Sequence, residues 1–425
     1  MIENITETRL ENGLVVLTDR MPGVRSATLG FFYRIGSRNE PGDLNGISHF
    51  IEHCVFKGTE KRSALDIAIE QERLGGNLDA FTTHEETGFV LKVIDDRIEA
   101  AFDLVVDMLT NSRFDEADLE NEQRVIIEEL KMNEDSPEEL LSDIFQHEFF
   151  PGHPLGLDIA GTPETVRSFD SEKTRSFHRR NFHAGNLVIA AAGNVEHQHL
   201  LKMAESLGST PQAALAGTTP SPPVPAATIS MNHRDDLEQV HFVFAAPIVS
   251  GRDPRRYAAD MLANILGGGT ASRLWQKVRE ERGLTYSIGS AAELYRDCGF
   301  LSISGSASPD NLPEITDIVT SEMKNLVREG VFDGELQLQK DQARAAILLD
   351  LEDSASRAAS LAESELTHGR QISVEETIAN LDAVTCDDVN AVAAEFFRTE
   401  WLAFAALGNL DGLKIDRGLL SIENK

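Results

Sequence analysis

The sequence predicts an α+β protein built from two homologous domains, and three observations carry the prediction. The chain has 425 residues, too many for one ordinary core and enough for two domains of about 200 residues each. A proline-rich segment at 208–227 divides it near the middle. The order of strands and helices before this segment recurs after it, and each half ends in a similar strand, VIAAAGN at 188–194 and AFAALGN at 403–409. We therefore predict domains at 1–207 and 228–425, joined by a semi-rigid linker.

Hydrophobic periodicity and turn residues predict the elements of each half. Capping signals support the ends of helices: Ser63 has Asp66 three residues on, and Gly75 follows the last turn. The first half is predicted to contain a hairpin at 6–17, a strand at 27–33, helices at 47–56 and 63–75, strands at 77–83 and 87–94, helices at 98–111, 116–133 and from 137, and a strand at 187–192. The second half is predicted to contain strands at 228–231 and 240–246, helices at 255–266 and 272–281, strands at 286–293 and 300–306, long helices within 309–369, and a strand at 401–407.

The composition restricts the partners and the compartment. With 39 basic and 70 acidic residues the formal charge is −31, which argues against nucleic acid and favours basic peptides, although the charge could serve solubility alone. The three cysteines, Cys54, Cys298 and Cys386, show no paired spacing and suit a reducing compartment. Neither a signal-peptide pattern nor an apolar run of about 18 residues is present. The sequence thus predicts a cytoplasmic protein with no membrane span.

A His-Xaa-Xaa-Glu-His motif indicates metal chemistry. His49 and His53 lie four residues apart in a predicted helix, so both imidazoles reach one face, and Glu52 lies beside them as a candidate general base. A catalytic zinc needs a third protein ligand. The acidic helix 116–133 is the best donor, but spacing alone leaves Glu122, Glu128 and Glu129 open. The alternative is a chance motif on an amphipathic helix beside a solvated acidic face.

Three segments follow one another in order along the first half: HFIEHCVFKGT at 49–59, GGNLDAFT at 75–82 and EQRVIIEE at 122–129. Together they resemble the pitrilysin/insulinase family of zinc peptidases, above all its two-domain branch that includes the mitochondrial processing peptidase, and the resemblance spans nearly the whole chain. It implies a metallohydrolase-like LuxS/mitochondrial-processing-peptidase fold, with a largely antiparallel sheet packed with helices in each domain. It also implies one zinc per chain, with His49, His53 and Glu129 as ligands, Glu122 as their supporting acid and Glu52 as the base.

The resemblance extends to candidate substrate-binding residues. In the second half, Arg279 and Tyr286 match the family's arginine and tyrosine that hold substrate at the scissile carbonyl, whereas the preceding glycine run lacks the Lys-Ser/Thr ending of a P-loop. The edge strand that would pair with a peptide includes Asp79, Ala80 and Phe81. Asp79 departs from the asparagine frequent in the family, and an ionised carboxylate cannot donate a hydrogen bond.

The resulting expectation is a zinc-dependent endopeptidase that cleaves unfolded peptides. Family members enclose substrate between four such domains, so this chain of two implies a homodimer in which Arg279 and Tyr286 serve the partner's metal site. The alternative function is a non-catalytic assembly or peptide-binding subunit of a larger complex, a class that usually lacks one or more metal residues. All four, His49, Glu52, His53 and Glu129, are present here.

Overall fold

A computed structural model describes residues 3–207 and 221–422. The predicted linker lies outside the described residues from 208 to 220, and residues 221–227 contain no helix or strand. The strands are β1 Ile5–Arg9, β2 Val15–Arg20, β3 Ser26–Tyr33, β4 Leu78–Thr82, β5 Thr87–Ile94, β6 Leu187–Gly193, β7 Ile229–His233, β8 Val240–Ile248, β9 Thr285–Leu294, β10 Gly299–Ala307 and β11 Ala403–Gly408.

The helices account for much of the remaining described chain. They are α1 Ile47–Cys54, α2 Ala64–Leu74, α3 Ile98–Asn111, α4 Glu116–Asp135, α5 Pro137–Phe149, α6 Pro163–Arg167, α7 Ser171–Asn181, α8 His197–Ala204, α9 Arg256–Gly267, α10 Leu312–Glu329, α11 Asp333–Asp350, α12 Ser354–His368, α13 Val374–Ala383 and α14 Cys386–Phe396. Where a helix is predicted at 272–281, the structure has a π-helical turn at Trp275–Glu280. Within 309–369 three separate helices form, because Gly330 takes φ 77° after α10 and the Asp353 side chain caps α12. No described helix is both long enough and apolar enough to cross a bilayer.

Two sheets of matching topology confirm the α+β prediction. The first has the order β1-β2-β6-β3-β5-β4 and the second β7-β11-β8-β10-β9. Each contains a single parallel pair, β2 with β6 and β7 with β11, and its other neighbours are antiparallel. Apart from the added β1, the two orders correspond strand for strand, as a duplicated design requires.

The described residues pack as two compact units that exchange one segment each. Within the described residues, unit 1 draws on 3–131, 157–207 and 347–374, and unit 2 on 132–156, 221–346 and 375–422. The exchange puts α12 in unit 1, where Leu361, Ala362 and Leu366 pack on β2, β3 and β6. It puts α5 in unit 2, where aromatic residues from α5 pack on β8, β10 and β11. Each sheet thereby buries both faces, since helices of its own half cover the other side.

Ion pairs hold α12 against the first sheet. Arg357 contacts Asp19 of β2 at 2.6 Å, and both side chains are 3% exposed. Glu365, 1% exposed, accepts from Arg9 and Arg34. Buried pairs of this kind contribute little net stability but strongly destabilise the fold when one partner is removed. They therefore fix where α12 lies along the strands.

Candidate metal centre

Helix α1 contains the His-Xaa-Xaa-Glu-His motif, and residues just before the helix fix where it starts. Gly46 precedes the helix with φ 94°, a left-handed conformation that favours glycine, and a Cβ there would lie 2.6 Å from the carbonyl oxygen of Ala160. The carboxylate of Glu40 accepts hydrogen bonds from the backbone N–H groups of Gly46 and Ser48, each at 2.7 Å. This acidic cap satisfies N–H groups that the first turn leaves unpaired. The start of α1 is thereby fixed.

Three side chains meet beside α1. His49 Nε2 lies 3.7 Å from Glu129 Oε1, and His53 Nε2 lies 3.6 Å from Glu129 Oε2. Within the described ranges, these residues form a group whose ligand atoms all lie within 4.8 Å of one another. Tetrahedral zinc, with bonds of about 2.0–2.1 Å, separates its ligand atoms by about 3.4 Å. The group therefore fits a zinc ion with small side-chain adjustments.

The two imidazoles differ in their electrostatic surroundings. Burial, together with the neighbouring His53, lowers the pKa of His49 to about 4, so His49 is neutral at pH 7 as a metal ligand must be. Its buried Nδ1 has no hydrogen-bond partner among the described residues. Burial also acts to lower the pKa of His53, but the hydrogen bond to Glu122 and the charges of Glu52 and Glu129 outweigh it and raise that pKa. A metal ion that binds His53 therefore competes with a proton for the imidazole.

Glu122 contacts the opposite side of the His53 ring. His53 Nδ1–H donates to Glu122 Oε2 at 3.3 Å, which leaves Nε2 directed to Glu129. The Glu122 side chain is 5% exposed, and its other oxygen pairs with Lys57 at 2.7 Å. Burial alone would raise the pKa of Glu122, but these two hydrogen bonds lower it, so the group is ionised. The sequence reasoning missed Lys57, although its place one turn after His53 was a usable signal.

The three candidates for the third ligand, Glu122, Glu128 and Glu129, point in different directions from α4. Glu129 lies against both histidines and Glu122 lies against one. The Glu128 side chain is 70% exposed and pairs with Lys131 instead. Glu129 is thus the carboxylate that completes the cluster.

Glu52 lies buried on α1 with one anchoring contact. Thr82 Oγ1–H, at the end of β4, donates to Glu52 Oε2 at 2.7 Å. Burial raises the pKa of Glu52, while the Thr82 hydrogen bond and the nearby His53 act in the opposite direction. Thr82 belongs to the GGNLDAFT segment but was not among the predicted site residues. Only the packing of β4 on α1 reveals its contact.

The predicted peptide-binding residues lie on an edge strand. β4 pairs with β5 on one side and is the last strand of its sheet. Asp79 is exposed, and Ala80 packs against the core below it. The Phe81 ring faces the other side of the sheet, where it contacts Phe32 at a centroid distance of 6.3 Å. An extended peptide could add to the free edge of β4 through its backbone.

Arg279 and Tyr286 belong to unit 2. Tyr286, the second residue of β9, is 85% exposed. The Arg279 guanidinium lies 4.1 Å from the centroid of the Trp275 ring, a cation–π contact within the π-helical turn. Arg279 has no carboxylate partner among the described residues. Both groups are therefore available to an external ligand.

Family models match both halves of the chain. Residues 15–163 match the model described as Insulinase (Peptidase family M16), and residues 168–343 match the model described as Peptidase M16 inactive domain. An uncharacterized zinc protease of Streptomyces coelicolor is 37% identical over 402 residues, covering 93% of this chain and 87% of that protein. An uncharacterized zinc protease of Bacillus subtilis is 33% identical over 391 residues, covering 92% and 95%.

Solved structures share the fold at low identity. A protease from Helicobacter pylori superimposes with a TM-score of 0.88 at 19% identity, covering 96% of this chain and all of that one (100%). A peptidase M16 inactive domain from Pseudomonas fluorescens gives 0.86 at 19% identity, covering 96% and 98%. A chain of complex III from Candida albicans gives 0.85 at 20% identity, covering 98% and 100%.

Proposed function

The chain belongs to the insulinase (M16) family of peptidases, and from that premise we propose that it is a zinc-dependent endopeptidase acting on unfolded peptides. One observation carries the proposal: His49, His53 and Glu129 converge within 4.8 Å. Glu52, on the same helix as both histidines, lies buried beside them. The relatives' description as zinc proteases supports zinc as the metal. The single three-residue cluster found among the described residues supports one ion per chain.

The proposed chemistry assigns each side chain one task. Zinc, when bound, supplies a Lewis acid that lowers the pKa of water and polarises a carbonyl group. His49, His53 and Glu129 hold the ion, and Glu122 orients His53 through its Nδ1–H. Glu52 accepts a proton from the attacking water and passes it to the leaving amine. The hydrogen bond from Thr82 holds the Glu52 carboxylate in one orientation while it does so.

The free edge of β4 supports an extended substrate. A peptide that pairs with Asp79, Ala80 and Phe81 must offer unpaired backbone groups, which a folded protein does not. Because Asp79 is exposed and the chain carries a charge of −31, basic peptides are the favoured substrates.

We further propose that the enzyme is a cytoplasmic homodimer. Arg279 and Tyr286 of a second copy would donate hydrogen bonds to the oxyanion at each metal site. Mixing Glu52→Gln subunits with Arg279→Ala subunits tests this, because a mixed dimer regains one intact site if residues are shared. Mixed dimers with no activity above either variant would contradict sharing.

The state of the cysteines supports the cytoplasmic part of the proposal. None of the three cysteines, which all lie in the described ranges, forms a disulfide, as a reducing compartment would require.

Hydrolysis of a quenched fluorescent basic peptide tests the peptidase proposal. We expect cleavage that a chelator abolishes and zinc restores, and a Glu52→Gln protein that binds zinc but does not cleave. Zinc content should be measured on the same samples. No cleavage of any flexible peptide with zinc bound would contradict the proposal, and no zinc binding would contradict the assignment of the site.

A non-catalytic assembly or peptide-binding subunit is the second candidate. The family model that matches residues 168–343 is described as an inactive domain, and this is the observation in its favour. The intact cluster in unit 1 favours catalysis instead. Zinc binding and peptide binding without turnover would support this second function.

A further inference from the structure

The second sheet carries a groove on the face that α5 covers. Ser302, Ser304 and Ser306 alternate along β10 and therefore share this face. Their partners in register are also small or short: Ser306 lies opposite Ser287 of β9, and Ser304 lies opposite Gly289. Small side chains on these two neighbouring strands leave a depression that α5 does not fill. The groove measures about 220 Å³.

Carboxylates lie at the rim of this serine groove. Glu138 comes from α5 and Glu293 from β9, and no lysine or arginine of the described chain lines the groove. Neither carboxylate has an ion-pair partner among the described residues. Both side chains keep part of their surface exposed, while partial desolvation in the groove raises the pKa of Glu293 to about 6. Burial also lowers the pKa of the lining His241, so this ring adds no fixed positive charge.

Apolar surface lies beside these acids. Phe145 of α5 and Phe300 of β10 line the groove, with their ring centroids 5.7 Å apart. A long cationic side chain matches this combination, because its stem packs on aromatic surface while its head reaches carboxylates and hydroxyls. The volume is below the roughly 300 Å³ of typical small-molecule sites and suits a single amino-acid side chain.

We propose that the serine groove binds an arginine or lysine side chain of a peptide, with the carboxylates of Glu138 and Glu293 attracting its cationic head. This makes unit 2 a binding module for basic residues, separate from the edge strand of unit 1. The inference rests on the proposed function only in taking a peptide as the ligand. The metal cluster hydrolyses a peptide bond without selecting a side chain, whereas the groove would select arginine or lysine.

Peptide binding by a Glu52→Gln protein tests the groove without requiring hydrolysis. The probes are a fluorescein-labelled flexible peptide with a single arginine and the same peptide with citrulline, which is neutral and nearly isosteric. Adding Glu138→Gln and Glu293→Gln should weaken binding of the arginine peptide about tenfold in fluorescence anisotropy. Citrulline-peptide binding should stay unchanged. The matched control is Glu375→Gln with Glu400→Gln, which removes the same charge from exposed positions of unit 2.

A second variant guards against misfolding of the first. Ser304→Arg places a guanidinium in the groove and should also abolish the preference for arginine over citrulline, whereas Ser304→Ala should retain it. Equal losses for both peptides, or an equal loss in the exposed control, would overturn the proposal. Chelator-sensitive cleavage by the unmodified enzyme is scored separately, so failure of the groove leaves the peptidase proposal intact.

Discussion

Glu122→Gln isolates a carboxylate that contacts the metal cluster only through His53. The glutamine oxygen can still accept from His53 Nδ1–H, but the charge that favours this proton is lost and Lys57 loses its charged partner. Because Glu122 is 5% exposed, solvent does little to screen the change. Carboxylate partners of ligating histidines typically contribute a factor of about 10–100 in metal affinity. The contact is long, at 3.3 Å, so we expect the lower part of that range, about tenfold or 1.4 kcal/mol.

Competition between the apo-protein and a chromophoric chelator measures this zinc affinity directly. Glu128→Gln is the matched control, since it removes the same charge from the same helix at an exposed position. The control should bind zinc like the unmodified protein. An affinity for Glu122→Gln within about twofold of the unmodified protein, or an equal loss in Glu128→Gln, would refute the role of Glu122 in orienting His53.

Three further changes have defined outcomes. Thr82→Val removes the hydrogen bond to Glu52 and should lower kcat roughly 10- to 100-fold with little change in KM, while Thr82→Ser should restore most of it; a matching loss in both variants would contradict this. Burial raises the pKa of Glu40 from 4.5 to about 7, so the folded apo-protein keeps a proton that the unfolded chain has released, and stability should fall as pH rises through this window. Glu40→Gln should remove that decline, on the order of 3 kcal/mol, in urea denaturation across the window. Arg357→Met leaves a buried carboxylate unpaired and should lower stability by about 3–5 kcal/mol, whereas Lys92→Met, at an exposed pair with the same helix, should cost less than about 1 kcal/mol in the same assay.

Much of the fold was predictable because its signals are local. Alternation, capping residues and the repeated order of elements predicted two related α+β halves, and the matching sheet orders confirm the fold class. Short helices such as α6, α7 and α8 were not predicted. The exchange of α5 and α12 between the units was not predictable either. Their sequences show an apolar face but not which sheet that face covers.

The candidate metal site was likewise predictable only where its residues are close together in the chain. Spacing along α1 is enough to put His49 and His53 on one face with Glu52 beside them, because helix geometry is set by neighbours in the chain. The resemblance to a known family named Glu129. Spacing along α4 could not distinguish it from Glu122 and Glu128, since helix periodicity does not tell which way α4 is turned toward α1.

The sequence by itself determined most of the elements, the duplicated design and the motif, since each depends on residues close together in the chain. Tertiary structure alone decided the contacts of Thr82 with Glu52 and of Lys57 with Glu122, and the serine groove of the second sheet. It also turned Glu129, rather than Glu128, toward both imidazoles. Each of these contacts joins residues of different helices, strands or turns. Their relative orientation follows from how the faces of those elements pack against one another. Side-chain packing across the fold, rather than any local propensity, sets that orientation.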